Sequence, residues 1–218
     1  MIENIGKPGF DTLSSVSEHV LFCMERLKIE KPNQPLHICE VGVGIGTTSV
    51  QIVKRLLPSD FFYLFDFQKK VDNLMSDLQT FECHISGYGN STKTWDSYVW
   101  TLVHFFLNQA KSKNIFDLVY LDGAHTFFHD SSASCIIKEL LNVGGYFVLD
   151  DVYWTYEKSP TSNPTKNPNL RNLMTDEQIS TPHVELITKA FLDTDCRFTR
   201  VIDEMKLKKW RAVYKKIL

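Results

Sequence analysis

The side chains best placed to do chemistry in this sequence are Glu40, Asp66, Asp122, His125, Asp150 and Asp151, each at or just past the end of an apolar run. Asp122 closes Phe116-Asp117-Leu118-Val119-Tyr120-Leu121, and Asp150 and Asp151 close Gly144-Gly145-Tyr146-Phe147-Val148-Leu149. If those runs are parallel strands of one sheet, their carboxyl ends open into the crevice where such sheets bind ligands. Three carboxylates converging there repel one another unless a cation lies between them, and hard oxygen donors suit Mg²⁺ or Mn²⁺. Such an ion would be a Lewis acid that lowers the pKa of a coordinated hydroxyl and orients it. The plain alternative is that an acid after a strand is an ordinary turn residue. His125, three residues after Asp122, is a candidate for taking the hydroxyl proton, since histidine titrates in the neutral range. Its bland role would be to cap or pack the start of the next helix.

Upstream, Glu40-Val41-Gly42-Val43-Gly44-Ile45-Gly46 reads as a strand end running into a glycine loop. Alternating glycines let the backbone approach a ligand, and the following helix points free N–H groups at it. A dinucleotide site calls for G-x-G-x-x-G, and here the third glycine would fall on Thr47. The spacing E-x-G-x-G-x-G, with an acid suited to ammonium and sulfonium centres, favours S-adenosylmethionine over NAD. Asp66, at the end of the second strand, is placed to accept ribose hydroxyls, or else to cap a helix. Asn90 or Ser91, in the turn 87–91, is a candidate for the adenine, although ordinary turn chemistry explains both residues.

The elements that must position these groups follow from periodicity. Val16, Val20, Met24 and Leu27 recur at helical spacing, which predicts a helix over 14–29. Strands are predicted at 36–41, 61–65, 83–86, 116–121 and 146–149, alternating with helices at 47–57, 71–78, 95–110 and 130–141. That alternation predicts an α/β fold: a doubly wound, Rossmann-like, mostly parallel seven-stranded sheet with helices on both faces and an antiparallel strand at the C-terminal end. Segments 198–202 and 211–217 are expected to pair antiparallel at the sheet edge. Segment 159–169 carries three prolines, three asparagines and no apolar residue, so it cannot pack a core. Thr181 and Pro182 look like an N-cap and first helical residue of a helix running to 192.

With 218 residues, the chain suits one domain, with a helical extension over 1–35 and a lid-like insertion over 155–182. A formal net charge of -2 argues against nucleic acid as the main partner. Lys206, Lys208, Lys209, Arg211, Lys215 and Lys216 are expected to form a solvated edge. The five cysteines show no C-x-x-C pair, which excludes a zinc ribbon or thioredoxin-like motif and suits a reducing, cytoplasmic location. Cys39 and Cys135 read as small core residues. No apolar run spans a bilayer, and 1–4 lack the order of a signal peptide.

The loop 40–46, the run Leu121-Asp122-Gly123-Ala124-His125 and the run Gly144–Asp151 resemble the metal-dependent O-methyltransferases, in particular the family of macrocin-type sugar O-methyltransferases and cephalosporin-hydroxylase-like methyltransferases. Catechol O-methyltransferase is a more distant likeness. The resemblance covers about 36–153. It implies S-adenosylmethionine bound by Glu40, Gly42, Gly44, Gly46, Asp66, Asn90, Ser91 and Asp122, and a metal held by Asp122, Asp150 and Asp151. It also implies catalysis by Asp122 and His125. Family members often carry a second acid two residues after the first aspartate; here that position is Ala124, and His125 stands where relatives of the catechol type place a lysine. His129 makes H-x-x-x-H with His125, but without the acid of H-E-x-x-H it is assigned to the helix surface. Tyr153, Trp154 and Tyr156 are expected either to wall an acceptor site or to underpin the loop, and His183 to face the crevice. The expected activity is methylation of a small-molecule or sugar hydroxyl, assisted by a divalent metal. A metal-independent methyltransferase and a non-catalytic binding module stand as alternatives, and a homodimer through the N-terminal helix stays open.

Overall fold

The computed structural model describes residues 1–7, 15–109, 114–201 and 210–218. Lys206, Lys208 and Lys209, and the outer ends of the predicted elements at 14, 110 and 202, lie outside the described residues. Strands β1 (His37–Val41), β2 (Phe61–Phe67), β3 (His84–Asn90), β4 (Phe116–Leu121), β5 (Leu141–Leu149), β6 (Phe198–Arg200) and β7 (Ala212–Lys216) form one sheet in the order β3-β2-β1-β4-β5-β7-β6. β7 runs antiparallel to both β5 and β6, and strands β1 to β5 pair in parallel. Strand order reverses between β1 and β4, which places the ligand crevice at their carboxyl ends.

Each central strand sends alternate residues to opposite faces. Ile38, Leu118, Tyr120, Tyr146 and Val148 pack under α1 (Glu18–Glu30), α2 (Thr47–Val53) and α3 (Gln68–Leu78). Cys39, Val119, Leu121, Phe147 and Leu149 pack under α4 (Tyr98–Asn108), α5 (Phe127–Leu140) and the late helices. Because both faces are covered, the strands read as nearly continuous apolar runs. α1 buries Val20, Cys23, Met24 and Leu27 fully, so it belongs to the helical layer and is not an appendage. Its N-cap Ser17 accepts from the Val20 amide and donates its own amide to Thr48 Oγ1 at 3.1 Å.

Several expectations change. α2 ends at Val53, and the chain tightens through Arg55 N–H to the Ile52 carbonyl before Pro58. Thr181 does not cap the next helix, because its hydroxyl donates to the Glu177 carbonyl at 2.6 Å. Segment 155–182 contains α6 (Leu170–Leu173) and α7 (Asp176–Ser180), the latter opened by a Thr175/Gln178 capping box. α8 (His183–Ile187) then runs into a π-helical turn at Thr188–Leu192. Cys135 is exposed, on the outer side of α5, whereas Cys39 is buried. The described basic residues near the C-terminus are not a solvated edge. Lys216 is buried and donates to the carbonyls of Lys138 and Leu141, Lys215 pairs with Glu30, and Arg211 turns into the crevice.

Candidate active site

The glycine loop joins β1 to α2 with Gly42, Gly44 and Gly46 all at positive φ. A Cβ on Gly42 would overlap the Asp122 carbonyl oxygen, so the loop lies directly against the end of β4. Glycine is required there for both reasons. Gly46, at φ 87°, turns the chain into α2. Beneath the loop, Glu40 is buried and accepts from Ser49 Oγ at 2.6 Å. Burial pushes its carboxyl up to about 8, with the Asp122 and Asp66 charges adding to the rise against the Ser49 bond.

Asp66 reaches back from β2 to the loop, accepting from the Val43 amide at 2.9 Å through Oδ2. Lys70 Nζ lies 3.2 Å from the same oxygen. α3 has no side-chain N-cap, so Asp66 ties strand to loop and is not a helix cap. Asn90, at the end of β3, is buried; its Nδ2 donates to the Ser91 carbonyl, while Oδ1 has no hydrogen-bond partner. An unpaired buried acceptor is costly, and this one belongs to a residue that lines a cavity of about 500 Å³ with Gly42, Gly44, Asp66, Asp122 and His125. Ser91 is exposed, gives its amide to Asp96 Oδ2, and is not among the lining residues.

A second cavity of about 820 Å³ opens beside the first, and Asp122, Ala124 and His125 line both. Its other walls include Asp150, Asp151, Tyr153, Trp154, Tyr156 and Arg211, with residues 158–162 of the insertion. His125 Nε2 stands 3.6 Å from Asp122 Oδ1 and 3.6 Å from Asp151 Oδ2, and its ring lies 5.6 Å from that of Trp154. His125 and Asp151 both adopt positive φ, 52° and 50°. Non-glycine residues held there carry strain of about 1–3 kcal/mol, which the surroundings must enforce. Part of that enforcement is Tyr98, whose hydroxyl accepts from the Ala124 amide at 3.0 Å and bonds the buried Asp130.

The acids at the ends of β4 and β5 are not arranged as ligands around an open position. Arg211 Nη2 donates to Asp150 Oδ2 at 3.1 Å, and Nε lies 2.9 Å from Oδ1 off its N–H line. Tyr120 donates its hydroxyl to Asp150 Oδ2 and stands 3.2 Å from Asp122 Oδ2. The cause is register: Leu149 faces Ala212 across the antiparallel pair, so the next position sets Asp150 against Arg211. Among the described residues no three His, Cys, Asp or Glu side chains group closely enough to hold an ion. The expected metal set of Asp122, Asp150 and Asp151 therefore does not fit this arrangement. Burial, together with the charges of Asp150 and Asp151, pushes the Asp122 carboxyl well above the usual carboxylate range.

Of the residues singled out in the sequence, Gly42, Gly44, Asp66, Asn90, Asp122, His125, Asp150 and Asp151 converge on the two cavities. Glu40 and Gly46 support the loop from beneath. Tyr153, Trp154 and Tyr156 do wall the second cavity. His129 is not simply on the helix surface, since it lines the first cavity and its Nδ1 lies 2.8 Å from Thr126 Oγ1. His183 is tied up elsewhere: Nδ1 accepts from the Phe127 amide, and Nε2 donates to the Gln178 carbonyl. Sequence reasoning missed Tyr98, Tyr120 and Arg211. Tyr120 sits two residues before Asp122 on the same strand face, a period-2 signal that was legible. Thr175-x-x-Gln178 likewise carried the capping-box signature.

No protein-family model matches the sequence, and no curated protein does. Solved structures do share the fold. A Klebsiella pneumoniae protein assigned as an O-methyltransferase is 12% identical, with 100% of this chain and 86% of that one covered, at a TM-score of 0.61. The O-methyltransferase TomG of Streptomyces achromogenes, involved in tomaymycin synthesis and solved with S-adenosylmethionine, is 13% identical over 94% of this chain and 82% of its own, at 0.58. An O-methyltransferase from Bacillus cereus, solved with S-adenosylhomocysteine, is 13% identical over 93% and 83%, at 0.56. At these identities the likeness speaks for architecture: the chain has the seven-stranded, Rossmann-like fold of the class I methyltransferases.

Proposed function

We propose that this chain is an S-adenosylmethionine-dependent methyltransferase acting on a hydroxyl of a small molecule or sugar. One observation carries the reading: two cavities meet at a shared wall of Asp122, Ala124 and His125. A transfer between two bound molecules needs that arrangement, one site for the donor and one for the acceptor. The smaller cavity offers what an adenosylmethionine needs: the Gly42 and Gly44 backbone, Asp66 for ribose hydroxyls, and the unpaired Asn90 Oδ1 for an exocyclic amine. Glu40, beneath the loop, is the acid that a bound ammonium would draw into its ionised form. The larger cavity has an aromatic wall suited to a ring or a sugar face.

The cofactor supplies a methyl group already made electrophilic by sulfonium. The chain has to align an oxygen with it and take that oxygen's proton. His125 lies between two acid side chains at the junction, where it can accept the proton as the C–O bond forms, and the imidazolium that results would favour the ionised form of Asp122 and Asp151. Alignment contributes about 7–11 kcal/mol in favourable cases, more than the roughly 10²- to 10⁴-fold from one general base. The positioning walls therefore matter more than the proton transfer. A reducing compartment such as the cytoplasm suits the five unpaired cysteines.

Calorimetric titration with S-adenosylhomocysteine tests the reading. A micromolar dissociation constant, about -8 kcal/mol, is expected. Absence of heat at several temperatures would remove the cofactor assignment and with it the function.

A further inference from the structure

The acceptor site already contains a cation of its own. A carboxylate has about four lone-pair directions, and three of those on Asp150 hold hydrogen bonds from this chain, with the guanidinium charge beside the fourth. Oδ1 accepts from the Asp151 amide at 2.8 Å and lies 2.9 Å from Arg211 Nε. Oδ2 accepts from Tyr120 and from Arg211 Nη2. The two side chains are buried together, at 12% and 7% exposure, so solvent does not compete for the contact. Tyr120 extends the network to Asp122, and His125 lies between Asp122 and Asp151. Every acid of the cluster thus has a nitrogen or hydroxyl partner from this chain.

The placement is built into the sheet. Register sets Arg211 opposite Asp150, and the hydrogen bond from Val152 N–H to the Trp210 carbonyl at 2.9 Å holds the two segments together just beyond that pair. A guanidinium stays charged at any working pH. Arg211 also lines the larger cavity, and a guanidinium has five N–H groups, more than the contacts to Asp150 consume.

We propose that Arg211 is the resident cation of the acceptor site, that it stands where the carboxylate cluster would otherwise hold a divalent ion, and that the chain binds no such ion there. Arg211 is then a positioning residue, set to donate to an acceptor oxygen while it neutralises Asp150. The proposal rests on the methyltransferase reading only in treating this cavity as the acceptor's.

Titration of Mn²⁺ followed by electron paramagnetic resonance tests it without turnover. The wild-type chain should leave the free Mn²⁺ signal unchanged, and Asp150→Asn should behave the same. Arg211→Ala, by removing the repelling charge and opening the side of each Asp150 oxygen that the guanidinium covers, should bind Mn²⁺ about tenfold more tightly or better. Arg211→Ala/Asp150→Asn should lose that gain. Uptake of one Mn²⁺ by the wild type that Asp150→Asn abolishes would overturn the proposal, as would a folded Arg211→Ala with no gain. If Arg211→Ala does not fold by circular dichroism, Arg211→Gln, which keeps the length of the side chain and removes its charge, takes its place under the same criteria. S-adenosylhomocysteine binding, measured in parallel, reports on the methyltransferase reading separately.

Discussion

Replacing Glu40 with glutamine should stabilise the chain at alkaline pH and leave it nearly unchanged at acid pH. Glu40 is buried beneath the glycine loop, and its carboxyl is raised from 4.5 to about 8, chiefly by burial. In the unfolded chain it titrates near its ordinary value. Below that value both states hold the proton, and the residue contributes no pH dependence. Between the two values only the folded state holds it, so stability falls by about 1.4 kcal/mol per pH unit. Across the interval the loss is about 5 kcal/mol, and above it the contribution is flat. Glutamine keeps an acceptor for Ser49 Oγ and has no proton to lose. Urea unfolding of both proteins from pH 5 to pH 8 should therefore show the variant's advantage growing with pH. Curves that run parallel throughout would refute the argument, because a normally titrating Glu40 predicts no divergence. A second signature follows: a bound ammonium favours the ionised form, so binding S-adenosylhomocysteine near neutrality should release a proton. That release appears as a buffer-dependent enthalpy in the wild type and vanishes in the variant.

Gly42→Ala would set a Cβ on the Asp122 carbonyl at a φ of 85°, and it should lower the melting temperature and abolish S-adenosylhomocysteine binding; a tolerated alanine would mean the loop does not lie against β4. Asn90→Ala removes the unpaired Oδ1, so it should weaken S-adenosylhomocysteine binding by about tenfold or more, with the loss of the Nδ2 bond to the Ser91 carbonyl read separately as stability to urea; unchanged affinity would free Asn90 from the ligand. His125→Ala should cut turnover on an acceptor found by screening by about 10²- to 10⁴-fold while cofactor affinity holds; undiminished turnover would place the proton elsewhere.

The acceptor itself is set by the walls that the recognisable motifs do not include. Trp154 and Tyr156 stack edge to face, 4.7 Å between ring centres, and residues 158–162 close the side of the cavity. Residues 159–162 open the segment whose proline and asparagine content kept it out of the core, and Trp154 and Tyr156 lie just before it. Such segments can vary while a rigid sheet holds the site.

Local patterning was enough for the architecture. Apolar runs broken by helical periodicity give alternating strands and helices, and burial on both faces follows from runs without polar alternation, as at 116–121. The glycine loop and the acids at strand ends were equally legible, because they depend on backbone geometry within a few residues of each other. What local pattern could not decide was which distant groups meet. Cys135 and Cys39 both sit in apolar surroundings, yet one faces solvent, because helix rotation is fixed by packing. Thr181 and His183 were placed by α7, a short helix whose position depends on the rest of the fold. Arg211 was read as one of a basic run, and only the antiparallel register of β7 with β5 sets it against Asp150. The same sequence that placed three carboxylates in one crevice thus left their counter-charge unassigned. Strand pairing is a long-range contact, fixed by the packing of the whole sheet, and charge balance in a buried site follows from that pairing.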